Sequence, residues 1–162
     1  EDCSPYRESL YRTAGEAGEL LKGLVYRLKE ELQLDTDVVL NAYVFPRWTV
    51  RFTRKKKTIL TVITGTDYAR IRIALSYETA KRVIQQKAAF PASIQASING
   101  FGCVQCGKCE NQSNLEIFEG VSLCRNKVVN FLTEDARMVQ LNLSTQEEAA
   151  AVMEIVKWIL SA

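Results

Sequence analysis

The sequence predicts an α+β fold: an antiparallel sheet flanked by long N-terminal and C-terminal helices, with an inserted four-cysteine metal-binding hairpin. Three observations predict it. Apolar residues recur at helical spacing near both ends, apolar and polar residues alternate through the middle, and four cysteines cluster after position 100. The 162 residues, 47% hydrophobic and 25% charged, fit one domain, residues 1–162, with a hairpin subdomain at residues 100–126.

A start signal and an apolar stripe predict the N-terminal helix. Ser4-Pro5 supplies a helix cap and a first residue with helical φ. Three- and four-residue spacing of apolar residues then indicates one helix that runs to about Leu34. Gly15, Gly18 and Gly23 interrupt the pattern; they either allow close packing against the sheet or break the helix. The stripe consists of Leu10, Ala14, Ala17, Leu21, Leu24 and Leu28.

Alternating runs separated by polar or Pro/Gly turns predict an antiparallel meander in the middle of the chain, followed by two helices and a second strand pair. A capping box at Ser144 to Glu147 then begins the terminal helix, whose apolar stripe and Trp158 we assign to core packing. The predicted strands are Val38–Phe45, Arg47–Thr53, Thr58–Thr64, Tyr68–Leu75, Lys127–Leu132 and Arg137–Leu143, and the predicted helices are Tyr77–Ala88 and Pro91–Asn99.

The cysteines are the strongest chemical signal. Cys103, Cys106 and Cys109 are spaced as C-x-x-C-x-x-C, and Cys124 follows after an alternating segment with Glu119-Gly120 at its centre. Because Glu-Gly favours a two-residue hairpin, the segment is expected to fold back on itself. The predicted cross-strand pairs are Leu115 with Cys124, Glu116 with Leu123, Ile117 with Ser122 and Phe118 with Val121. This hairpin returns Cys124 to the neighbourhood of Cys109.

Four thiolates on this spacing predict a structural Zn²⁺ site, since a knuckle followed by a returning hairpin is the arrangement of a zinc ribbon. The chain has no histidine, so a transition-metal site must use thiolates or carboxylates. Left without metal, the cysteines form disulfides or remain thiols, with Cys106 beside Lys108 as a reactive candidate. Cys3, far from the others in sequence, is not assigned to the cluster.

The run from Cys103 to Cys109 also resembles the cysteine motif of bacterial ferredoxins, which implies a [4Fe–4S] cluster as the alternative cofactor. The resemblance covers seven residues. Where the family has its next cysteine this chain has Ser113, and Arg125 rather than proline follows Cys124. The order of predicted elements is similar to that of small bacterial domains of the YjbR-like group, through layout and not through shared residues.

Positive charge is concentrated in the middle of the sequence. Residues 47–87 contain eleven Lys and Arg against two acids, net +9, whereas the whole chain is +2 and the remainder therefore −7. Such a surface attracts nucleic acid or an acidic protein, although lysines at edges and tips also keep sheets soluble. The candidate anion-binding residues are Arg51, Arg70 and Arg72 on one sheet face and Arg54, Lys55, Lys56 and Lys57 at a hairpin tip.

These features favour a non-enzymatic binding or adaptor protein of bacterial type over an enzyme. The absence of histidine removes the usual Ser-His-Asp and Cys-His arrangements, and no phosphate-binding glycine loop is present. The alternative is an electron-transfer protein that uses the same cysteines. The composition and the odd cysteine number indicate a reducing cytoplasm, and no apolar stretch has the length of a membrane span.

Overall fold

The structure is a computed structural model that describes residues 11–41, 47–104, 109–126 and 136–162. A five-stranded antiparallel sheet with strand order β1-β2-β3-β4-β7 forms its centre, and β5 and β6 form a separate hairpin. The strands are β1 (Asp35–Asn41), β2 (Arg47–Arg54), β3 (Lys57–Gly65), β4 (Tyr68–Ala74), β5 (Leu115–Phe118), β6 (Val121–Cys124) and β7 (Met138–Asn142). The α+β fold predicted from the sequence is confirmed.

Four α-helices lie wholly within the described residues. They are α1 (Ala17–Glu30), α2 (Tyr77–Gln85), α3 (Ala92–Asn99) and α4 (Gln146–Ser161), and a 3₁₀ turn (Lys87–Ala89) joins α2 to α3. α1 and α4 contact each other and the sheet. Together with one sheet face they enclose the core, which includes Leu21, Leu24, Val152 and Val156. No described helix is long and apolar enough to cross a membrane.

The pleat of the sheet separates a buried face from an open face. Side chains on the buried face pack into the core; they include Val50, Phe52, Val62, Ile71 and Leu141. On the open face, Arg51, Thr61, Arg72 and Gln140 are consecutive cross-strand partners. These four remain half-buried or exposed, so no described element covers this row. Charged side chains from two strands, Arg51 of β2 and Arg72 of β4, therefore share one accessible surface.

The outer edge of β7 is covered by a side chain of α3. The Ser97 hydroxyl donates to the carbonyl oxygen of Met138 at 3.3 Å and accepts the N–H of Gln140 at 2.7 Å. Main-chain groups at a sheet edge otherwise remain open to pairing with another strand. The hydroxyl therefore takes the place of a neighbouring strand at this edge.

The N-terminal helix differs from the single long helix predicted. Residues 11–13 are helical, Gly15 has a φ of 62°, and α1 begins at Ala17 and ends at Glu30, short of Leu34. The cause lies in the β3–β4 turn, where Asp67 N–H donates to the Thr13 carbonyl at 2.9 Å. A Cβ on Gly15 would lie 2.5 Å from an Asp67 carboxylate oxygen. Glycine therefore permits both the break and the close contact.

The cap of α4 lies one residue later than predicted. Thr145, not Ser144, accepts the N–H of Glu148 at 3.1 Å, and Glu148 Oε1 accepts the Thr145 N–H at 2.8 Å. Burial acts to raise the pKa of Glu148, but hydrogen bonds from Ser93, Ser144 and Thr145 outweigh it and lower that pKa below its usual value. The carboxylate thus joins the helix start to the neighbouring helix α3.

The remaining predicted helices and strands within the described residues are observed as helices and strands, but they begin or end at different residues. The first strand is Asp35–Asn41 rather than Val38–Phe45, and the helix capped by Ser76 ends at Gln85 rather than Ala88. The predicted strand Lys127–Leu132 lies outside the described residues. Trp158 is half-buried and packs on Phe90, with ring centroids 5.8 Å apart, which agrees with its assignment to core packing.

Candidate metal centre

The hairpin that was expected to return Cys124 is present with the predicted register. Leu115 pairs with Cys124, and Phe118 pairs with Val121 at the turn. Glu119 and Gly120 have φ angles of 48° and 81°, as a two-residue type I′ turn requires. Cys124 therefore lies across the hairpin from the residue that begins β5.

One face of the hairpin is anchored on the body of the protein. Val121 and Leu123 are buried and belong to the same core cluster as the sheet. The Tyr77 hydroxyl donates to Glu116 at 2.5 Å, and this hydrogen bond to a carboxylate raises the pKa of Tyr77. The Lys81 ammonium lies 5.0 Å from the centroid of the Phe118 ring. The hairpin is thus fixed against α2, and its other face carries Leu115, Ile117, Ser122 and Cys124.

A compact turn joins Cys109 to β5. Ser113 N–H donates to the Glu110 carbonyl and Leu115 N–H to the Gln112 carbonyl, each at 2.9 Å. The Arg125 N–H closes the strand pair by donating to the Asn114 carbonyl at 2.7 Å. These bonds fold the chain between Cys109 and Leu115 back on itself, beside the end of β6 that bears Cys124.

The residue before Cys103 lies close to β6. The Gly102 N–H donates to the Ala136 carbonyl at 3.2 Å, and a Cβ on Gly102 would lie 3.9 Å from the Ser122 Cβ. Gly102 therefore lies beside Ser122 of β6, and Ser122 precedes Cys124 by two residues. Cys106 falls at positions 105–108, outside the described residues.

The described part of the chain does not assemble a complete metal site. Cys103, Cys109 and Cys124 are each half-buried, and no disulfide joins them to one another. Among the described residues, which exclude Cys106, no group of three His, Cys, Asp or Glu side chains is placed to hold a metal ion. Cys103, Cys109 and Cys124 thus do not form such a group by themselves, and convergence of the four sulfurs stays a prediction.

Arg137 is a component of this region that sequence analysis missed. The side chain is 1% exposed, and its Nε donates to the Leu75 carbonyl at 2.8 Å. Its Nη1 donates to the carbonyls of Cys124 at 2.9 Å and Asn126 at 3.1 Å. Burial lowers the pKa of Arg137, while negative charge on the Cys124 thiolate acts to raise it. No local pattern marks this arginine, because its partners lie in distant parts of the chain.

The candidate anion-binding residues divide into separate groups. Arg51, Arg70 and Arg72 share the open face, since Arg51 and Arg72 are both opposite Thr61 and Arg70 lies two residues along β4. Arg51 forms an exposed ion pair with Asp37 at 2.5 Å, which reduces the positive charge of that face. Arg70 lies 5.4 Å from the Tyr68 ring centroid and Arg72 donates to the Met138 sulfur at 3.2 Å.

The tip residues differ from one another. The Arg54 guanidinium donates to the Leu32 carbonyl just beyond α1, so it contributes to tertiary packing and does not belong to the open face. Lys55, Lys56 and Lys57 are exposed. Lys55 and Lys56 occupy the turn with φ angles of 50° and 66°. The accessible positive charge of this hairpin is thus concentrated in three lysines.

Comparisons with known proteins gave no match to a protein-family model, to a curated protein or to a solved structure. The resemblances to ferredoxins and to the YjbR-like group therefore stay predictions. The fold and the region around Cys124 carry the functional interpretation.

Proposed function

We propose that this protein is a non-enzymatic binding or adaptor module of bacterial type, held together by a structural zinc site. In this proposal Cys103, Cys106, Cys109 and Cys124 bind one Zn²⁺. The observation that carries it is the β5–β6 register, which puts Cys124 opposite Leu115 and beside the turn from Cys109. The approach of Gly102, the residue before Cys103, to Ser122 of β6 supports the same convergence.

The metal supplies folding energy in this proposal, not chemistry. A four-thiolate zinc site is closed, so it leaves no coordination position for a substrate. It also rigidifies a stretch rich in unusual backbone: Asn111 and Gln112 both have positive φ values, 51° and 59°. Thiolate ligands persist in a reducing compartment, and we therefore propose a cytoplasmic location.

The proposed binding surface is the open sheet face together with the lysine tip. Lys55, Lys56 and Lys57 provide exposed charge, and Arg70 and Arg72 extend it along β4. The proposed partner is a polyanion, either nucleic acid or an acidic protein surface. Non-glycine residues at two left-handed positions of the tip support this role, because strained backbone is retained where a side chain has a task.

An iron–sulfur electron-transfer protein is the second candidate. The spacing of Cys103, Cys106 and Cys109 favours it, because three such thiolates hold three irons of a [4Fe–4S] cluster and a remote cysteine holds the fourth. Cys124 serves as that remote ligand.

Metal analysis of protein purified without oxygen separates the two candidates. The proposal expects about one zinc per chain and no visible absorption, whereas a cluster gives about four iron and a brown colour that dithionite bleaches. Cys124→Ser should lose the metal, and Ser122→Ala on the same hairpin face is the matched control. Wild-type protein that binds neither metal would contradict both candidates.

A further inference from the structure

A groove lies between helix α4 and the 3₁₀ turn that precedes α3, and its volume is about 630 Å³. None of its lining residues belongs to the sheet or to the cysteine hairpin. The lining residues on α4 recur at helical spacing, so they share one face of that helix. Two of them are alanines, whose short side chains leave the groove open. These residues are Glu147, Ala150, Ala151, Glu154 and Trp158.

The aromatic lining of the groove already holds a cation. Phe90 is buried, and the half-buried Trp158 packs on it. The guanidinium of Arg82, an exposed residue of α2, lies 4.7 Å from the centroid of the Trp158 ring. Aromatic faces attract arginine because the π-electrons interact favourably with its planar cation. The Arg82 contact therefore identifies the chemical group that this ring accepts.

Two carboxylates give the lining a negative charge. Glu147 and Glu154 are exposed, and within the described chain neither belongs to an ion pair. They are seven positions apart in α4, which corresponds to about 10 Å along the helix axis. Side chains about three residues apart in an extended segment are separated by a similar distance. The two carboxylates can therefore pair with two basic side chains of one extended peptide.

We infer that this groove binds an extended basic segment of a partner protein, with one arginine on Trp158 and basic side chains paired with Glu147 and Glu154. Charge complementarity identifies the occupant, because carboxylates and an aromatic face favour a guanidinium and repel a phosphate. The α4 face from Glu147 to Trp158 is about 16 Å long, which accommodates about five extended residues. Arg82 occupies the ring in the free protein and leaves it when the partner's arginine binds. The site is separate from the surface proposed for polyanions and does not depend on a metal.

The test titrates isotope-labelled protein with a blocked six-residue peptide that carries two arginines three positions apart. NMR shift changes locate the site and give the dissociation constant. The variants are Glu154→Gln, Arg82→Gln and Ala150→Leu, which fills the groove without a change of charge. The matched controls are Glu19→Gln on α1 and Lys157→Gln, which removes a positive charge from α4 at a residue that lines a different cavity.

We expect shift changes at the groove, with the indole N–H of Trp158 among them. Glu154→Gln should weaken binding by about 3-fold or more, because one ion pair is lost. Ala150→Leu should weaken binding further, since leucine fills space that the peptide needs. Arg82→Gln should strengthen binding by about 2-fold or more, because a competing cation leaves the Trp158 ring. Both control variants should bind as wild type does.

Several results would overturn the inference. One is the absence of shift changes at Trp158, and another is binding that Ala150→Leu leaves intact. A single blocked arginine that binds as tightly as the peptide would replace the inference with a small-molecule site. Dimers in sedimentation equilibrium that Ala150→Leu dissociates would replace it with a second copy of this chain as the occupant.

Discussion

The β2–β3 hairpin and the β5–β6 hairpin share a turn geometry but differ in how their sequences suit it. Both reverse through two residues with positive φ: Lys55-Lys56 in the first and Glu119-Gly120 in the second. Glycine adopts such angles without a Cβ penalty, whereas lysine does not. The long β2–β3 ladder imposes the turn on two lysines, while the short β5–β6 hairpin has a turn residue that favours it. Length stabilises one hairpin, and turn chemistry with the proposed metal stabilises the other.

Metal removal should give the largest difference between the hairpins. We expect a thiol-competing chelator to increase amide hydrogen exchange in β5 and β6 by at least about 100-fold, with little change in β2 and β3. The reason is that β2 and β3 lie inside a five-stranded ladder. Exchange followed by NMR or mass spectrometry reports both hairpins in one experiment. Equal responses would show that the cysteines do not stabilise β5–β6 locally.

The capping box of α4 lies away from both hairpin turns, so a substitution in it serves as a reference for the hairpin variants. Glu148→Gln should lower the free energy of unfolding by about 2 kcal/mol at neutral pH, because a neutral amide accepts the hydrogen bonds from Ser93, Ser144 and Thr145 more weakly than a carboxylate does. The pKa of Glu148 is lowered in the folded protein, so its stabilisation is present above the unfolded pKa and is lost as pH falls through the folded pKa.

Denaturant unfolding of wild type and Glu148→Gln across acidic pH measures this dependence. The two proteins should converge in stability as pH falls, and the difference between the hairpins should be the same in both. A constant gap at every pH would contradict the assigned role of the carboxylate.

Exchanging the turn residues tests the comparison directly. Gly120→Ala should destabilise by about 1–2 kcal/mol, because alanine is strained at a φ of 81°. The substituent meets no atom within 4 Å, so crowding does not contribute. Gly23→Ala in α1 is a control, since its Cβ also enters open space and the helix favours alanine. Thermal unfolding of the two variants should give shifts of opposite sign.

The reciprocal change should stabilise the other hairpin. Lys55→Asn with Lys56→Gly installs residues that prefer a type I′ turn, and we expect a gain of about 1 kcal/mol. Polyanion binding should fall at the same time if the lysines are retained for their charge. A double variant that gains no stability would mean that the positive φ angles of Lys55 and Lys56 do not destabilise the folded protein.

Charge at the tip should have the smallest effect on stability and a clear effect on binding. Replacing Lys55, Lys56 and Lys57 with Gln should reduce the salt dependence of heparin or single-stranded DNA binding by a slope of up to about 3. Arg54→Gln is the control, because that guanidinium already bonds the Leu32 carbonyl. Arg54→Gln should change the free energy of unfolding more than it changes the salt dependence of binding. Absence of wild-type binding at low salt would remove the polyanion proposal.

Local patterns were enough to predict the parts of the molecule that depend on neighbouring residues. Alternation and Glu-Gly predicted the β5–β6 register, and the meander and terminal helix followed from their periodicity. Distant partners explain the misses: Gly15 breaks the helix beside Asp67, and the acceptors of the buried Arg137 come from two other segments, Leu75 and residues 124–126. Arg54 flanks the β2–β3 turn opposite Lys57, but its bond to the Leu32 carbonyl comes from another part of the chain and no strand pattern indicates it. Convergence of the four sulfurs stays a prediction, because Cys106 lies outside the described residues and the three described cysteines form no metal-holding group by themselves.

The hydroxyl of Ser97 limits how this sheet can grow. That side chain occupies the Met138 carbonyl and the Gln140 N–H of β7, and β1 is the opposite outer strand of the five-stranded sheet. Main-chain groups at an outer strand are the ones that a further strand would pair with. A strand that paired with β7 at these positions would therefore have to displace the Ser97 hydroxyl first.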